Sequence, residues 1–89
     1  MTKNELILDT TMGMVRDELA RAMMLHAPMR GVHEGYAVIL EELDELWFEI
    51  KQKKPGQTTS FGRLRTKALH VAAMAARFVA DLTLDSICD

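Results

Sequence analysis

Four carboxylates fall within five residues at Glu41, Glu42, Asp44 and Glu45, inside the segment HEGYAVILEELDELWFEIK. No Lys or Arg lies between Glu34 and Ile50 to neutralise them. Glu42 and Glu45 are three apart, which makes them neighbours on a helix surface and able to share a cation. Mg2+ takes hard oxygen ligands and is commonly held by one or two carboxylates plus the phosphates of a substrate. The charge then inverts: Lys51, Lys53, Lys54, Arg63, Arg65 and Lys67 lie between Lys51 and His70, with no acid among them. An acidic stripe beside a basic loop suits a metal-polyphosphate ligand, with Lys53, Lys54, Arg63, Arg65 and Lys67 as candidates for holding phosphates. Phe61 is an aromatic side chain beside these basic residues. The same pattern is also what a solvated helix face followed by a solvated loop produces.

Helices must position these groups. Leu8, Met12, Val15, Leu19, Ala22 and His26 recur at steps of four and three, which draws one stripe along a helix over about 4–26. Pro28, Arg30 and Gly31 break it. Tyr36, Ile39, Leu40, Leu43, Leu46, Trp47 and Ile50 form a second stripe, on a helix over about 34–54 that ends at Pro55-Gly56. With Leu43 at the centre of the expected buried face, Glu42 and Glu49 fall on one shoulder, and Glu34, Glu41 and Glu45 point nearly the opposite way. After the polar segment PGQTTSFG, where Thr59 or Ser60 is available as an N-cap, Leu64, Ala68, Val71, Ala75, Phe78 or Val79, and Leu82 predict a third helix over about 60–82. Its run Ala72-Ala73-Met74-Ala75-Ala76 would let another helix approach closely.

The expected fold is therefore one all-α domain over 1–89, with no strand-like alternation. A chain of 89 residues with 48% hydrophobic and 27% charged residues is globular, yet short enough that its own core is small. Three amphipathic helices enclose their apolar faces poorly, so a dimer forming a four-helix-type bundle is the economical expectation. The net charge of -2 argues against a nucleic-acid binder. No apolar run approaches the ~20 residues that span a bilayer, so no membrane partner is expected. The single cysteine, Cys88, has no partner for an internal disulfide and suits a reducing cytoplasm.

The Glu-Glu-x-x-Glu run at Glu41, Glu42 and Glu45, on a helix that follows a first amphipathic helix, resembles the MazG-type nucleoside triphosphate pyrophosphohydrolases. The likeness covers roughly Leu8 to Leu82 in helix order and loop position. It implies an all-α fold, assembly as a dimer or tetramer, and a nucleotide substrate, with Phe61 the candidate for touching the nucleobase. The implied reaction is Mg2+-dependent cleavage, with Mn2+ as a substitute, between the α- and β-phosphates to give a monophosphate and pyrophosphate. It implicates Glu42 and Glu45 as metal ligands, with Glu41 in support.

The second motif of that family is Glu-x-x-Asp, and its natural counterpart here is Lys67-Ala68-Leu69-His70. Lys67 replaces a ligand with a positive charge, which penalises a multi-metal cluster. His70 remains a candidate ligand, although imidazole favours Zn2+, Mn2+ or Ni2+ over Mg2+. Two functional readings follow: a nucleotide pyrophosphohydrolase, or a non-catalytic helical oligomer serving assembly, nucleotide sensing or partner binding.

Overall fold

The computed structural model describes residues 1–52 and 61–84. Among them are three helices and no strand: α1 (Lys3–Leu25), α2 (Val32–Lys51) and α3 (Phe61–Leu82). The all-α expectation holds, with helix limits within about three residues of those predicted. Thr59, Ser60 and the Pro55-Gly56 stop lie outside the described residues, as does Cys88.

Local chemistry explains the ends. At the start of α1 the Thr2 hydroxyl accepts from the Glu5 backbone N–H at 3.1 Å and donates to Glu5 Oε1 at 3.2 Å, a Thr-x-x-Glu cap. The helix stops where His26 turns extended, its N–H still bonded to the Ala22 carbonyl. α2 starts from Gly31 without a side-chain cap; Glu34 in its first turn faces the positive end of the helix dipole, and Lys51 closes the other end.

α3 is the central element and packs against both α2 and α1. Its small-residue run serves that purpose: Ala73 is completely buried. Opposite the C-terminal part of α3, Gly35 opens a close approach. A Cβ at that position would lie 2.5 Å from Phe78 Cδ2, 2.9 Å from Phe78 Cε2 and 3.1 Å from Leu82 Cδ1. The missing side chain therefore admits the Phe78 ring against the backbone of α2.

The packed face of α2 differs from the expected one. Gly35 is buried and Val38, Ile39, Glu42, Glu45, Leu46 and Glu49 are half-buried, so the seam against α3 runs along the acidic shoulder. Tyr36, Leu43 and Trp47, expected at the centre of the buried stripe, are 65%, 47% and 55% exposed. At roughly 100° per residue the two faces are about a quarter-turn apart. The spacing of the large apolar side chains marks the greasiest face of the helix, while Gly35 marks where α3 can approach most closely. On α1 the same holds in part: Val15 and Leu19 are half-buried and Ala22 is buried, but Leu8, Met12 and His26 are exposed. The buried apolar residues are accordingly small or flexible, namely Ala22, Ala73 and Met29.

Candidate metal centre

The rotation of α2 brings its acids onto α3, where Lys67, His70 and Arg63 wait. His70 Nδ1 lies 3.5 Å from Glu42 Oε2, Lys67 Nζ lies 3.6 Å from Glu45 Oε2, and Arg63 Nη1 lies 3.7 Å from Glu49 Oε2. From α1, Glu18 Oε1 reaches to 3.2 Å from His70 Nε2. All three helices thus meet at His70. Around it is a cleft of about 370 Å3, with Glu18, Arg21, Glu41, Glu42, His70 and Arg77 in its wall.

Glu42, Glu45 and His70 each offer one ligand atom, and those atoms lie within 4.8 Å of one another. A divalent ion bound at about 2.0–2.2 Å would draw such atoms inward by less than about an ångström. Glu42 Oε2 is buried and has no hydrogen-bond partner among the described residues. A buried carboxylate oxygen without a donor is destabilising and is relieved by a proton or a cation. Burial pushes the Glu42 carboxyl above the ordinary glutamate range; the Glu45 charge and a hydrogen bond shared with Glu45 push it the same way, while His70 and Lys67 oppose. The donor set, two carboxylates and one imidazole, fits Mn2+ or Zn2+ better than Mg2+.

No family model, curated protein or solved structure matches the chain.

The remaining candidates divide by position. Glu41 is exposed on the rim of the cleft, beside the Glu42 side of the cluster. Lys67 is engaged with Glu45, and Arg63 with Glu49. Arg65 is exposed, and two residues from Lys67 it points about 160° away around α3, off the cluster. Phe61 is exposed at the start of α3, two turns before His70. Lys53 and Lys54 lie outside the described residues.

Four residues without an assigned role in the sequence shape the site. Glu18 supplies a carboxylate from α1, and Arg21 Nη1 holds its Oε1 at 3.0 Å. Arg77 and Asp81 fasten the end of α1 to α3. The buried Arg77 guanidinium donates to the Ala22 carbonyl at 2.7 Å, the His26 carbonyl at 2.8 Å and Asp81 Oδ2 at 2.9 Å. The Met29 N–H donates to the same Asp81 oxygen at 2.9 Å. The His26 carbonyl, and the Ala22 carbonyl that already accepts the His26 N–H, thereby gain a cationic donor, the sign the helix dipole prefers at the α1 C-terminus. The legible signal was an Arg and an Asp four apart in the otherwise small and apolar C-terminal half of α3, a pairing that marks one inward-facing ion pair rather than a solvated face.

Proposed function

We propose that this chain is a divalent-cation-dependent nucleotide pyrophosphohydrolase of the MazG-like kind. It cleaves a nucleoside triphosphate between the α- and β-phosphates to release a monophosphate and pyrophosphate. The observation that supports this reading is the buried, unpartnered Glu42 Oε2 beside Glu45 and His70 in an open cleft. Glu42 and Glu45 hold the cation, Mg2+ or Mn2+, which when bound neutralises phosphate charge and orients an attacking water. Water oxygen bonds to the α-phosphorus, the bond to the bridging oxygen breaks with its electron pair leaving on pyrophosphate, and the proton passes to solvent. Lys67, on the rim beside Glu45, is placed to exchange its carboxylate partner for a phosphate oxygen. Such a ligand would be small and polyanionic.

The same reading assigns the protein to the cytoplasm and to a homodimer or homotetramer. Tyr36, Leu40, Leu43, Trp47 and Ile50 form an exposed apolar face on α2, the kind of surface that marks an interaction site. A second copy covers it in a four-helix-type bundle. No helix among the described residues is long and apolar enough to cross a membrane.

One observation favours the non-catalytic alternative, a helical oligomer for assembly, nucleotide sensing or partner binding. Lys67 and Arg63 already pair with Glu45 and Glu49 without any metal ion. Pyrophosphate release from a panel of normal and damaged nucleoside triphosphates, with Mg2+ or Mn2+, separates the two. Turnover that disappears in Glu42→Gln and Glu45→Gln, with folding retained, is the expected result. A panel without turnover above blank sinks the enzyme reading; thermal stabilisation by metal plus nucleotide in that case leaves sensing as the role.

A further inference from the structure

His70 is faced by carboxylates on both ring nitrogens, from two different helices. Glu18 Oε1 of α1 lies 3.2 Å from Nε2, and Glu42 Oε2 of α2 lies 3.5 Å from Nδ1. Glu18 is held in place: Arg21 binds the same oxygen, and the Arg77 bonds to Ala22 and His26 fix the next turn of α1 against α3. The other charged groups around the ring are Glu45 and the rim Glu41 on α2, and Lys67 and Arg77 on α3.

A neutral imidazole carries one proton, and a carboxylate at hydrogen-bond distance draws that proton to the nearer nitrogen. Glu18 is the nearer carboxylate, and Arg21 holds the same oxygen in place. With the proton on Nε2, the Nδ1 lone pair faces Glu42 Oε2, the buried oxygen that has no donor. Two lone pairs facing at this distance repel unless a cation stands between them. A histidine whose far N–H meets a carboxylate, with its near nitrogen turned to other ligands, is the usual arrangement of a metal-bound imidazole.

We propose that Glu18 is a positioning residue that holds His70 in its Nε2-protonated form, so that Nδ1 joins Glu42 and Glu45 on a divalent transition-metal ion. This rests on the reading that Glu42 and Glu45 hold a cation. It adds an imidazole to the carboxylate pair and shifts the site's choice from Mg2+ toward Mn2+ or Zn2+, because nitrogen ligands suit the latter ions.

Long-range 1H–15N NMR of the histidines, on the full chain at pH 8 with and without Zn2+, tests the ring directly. The expected metal-free spectrum has the His70 proton on Nε2, and Zn2+ moves the Nδ1 resonance while Nε2 keeps its proton. Glu18→Gln, which retains an acceptor oxygen, keeps that form; Glu18→Leu loses it. Titration with Zn2+, Mn2+ and Mg2+ gives the second readout. Glu18→Leu is expected to weaken Zn2+ and Mn2+ binding about 10–100-fold, the usual effect of losing an outer partner, with a much smaller change for Mg2+. A His70 proton on Nδ1, or an unchanged Zn2+-to-Mg2+ affinity ratio in Glu18→Leu, overturns the role of Glu18. If those results occur while Glu42→Gln still abolishes metal binding, the carboxylate site stands without it. If the wild-type chain binds none of the three ions, both fall.

Discussion

Arg77 and Asp81 form a buried ion pair one turn apart on α3, with Nε and Oδ2 separated by 2.9 Å, and neither group serves only the other. The guanidinium closes the end of α1 through two carbonyls, and the carboxylate takes the Met29 N–H of the connection to α2. One pair therefore fastens the end of α1 and the connection to α2 onto α3, the helix that carries His70. Glu18 sits one turn before Ala22 on α1, and His70 sits two turns before Arg77 on α3, so the tie also sets how close those two side chains come.

Loss of Arg77 is expected to be severe. Arg77→Leu leaves the half-buried Asp81 carboxylate without its charge partner, the His26 carbonyl without its guanidinium donor and the Ala22 carbonyl with the His26 N–H alone, a change that costs about 3–5 kcal/mol. For a chain of this size that approaches the whole stability. Urea denaturation measures it; a loss below about 1 kcal/mol would show that water replaces the guanidinium at no great cost.

At Gly35 the gain from a better helix former is opposed by a clash. Ala raises helix propensity by about 1 kcal/mol, but its methyl would meet the Phe78 ring at 2.5 Å. Overpacking of this kind typically costs about 1–3 kcal/mol. Gly35→Ala is expected to be net destabilising, and Phe78→Leu in the same chain to recover part of the loss. Additive effects in that double-mutant cycle would mean that the two residues do not share the contact.

The raised carboxyl of Glu42 gives a pH signature with a defined sign. Its folded form holds a proton at pH values where the unfolded chain has already released one. The Glu42 contribution to stability is therefore highest below the ordinary glutamate range and declines as pH rises from there to the raised folded value. Glu42→Gln removes that decline. Thermal melts of the two chains from pH 4 to 8 should show the variant gaining on the wild type as pH rises, and a divalent cation should restore the wild type at neutral pH. A variant that is less stable than the wild type across the whole range contradicts the burial argument.

The apolar face of α2 predicts association. Sedimentation of the wild type at micromolar concentrations is expected to give a dimer or tetramer, and Leu43→Lys with Trp47→Arg a smaller species that keeps its helical circular dichroism. Neither residue touches the cluster, so metal binding by the dissociated chain would separate the site from the assembly. A wild type that sediments as a monomer at these concentrations defeats the proposal that a second copy covers this face.

The sequence by itself determined the three helices, because the 3.6-residue period, the Thr2 cap and the small-residue run of α3 act over a few residues each. It also determined that Glu42 and Glu45 are neighbours, since residues three apart meet on any helix. Which face of α2 turns inward was decided by tertiary structure. Apolar patterning pointed to Leu43 and Trp47, whereas close approach at Gly35 turned the acidic shoulder onto α3 and buried one carboxylate oxygen of Glu42. The meeting of Glu18 with His70, and of Ala22 with Arg77, joins residues more than fifty positions apart in sequence. No local period encodes such pairs, because they depend on how rigid helices are set against one another once Phe78 and Arg77 have found their places.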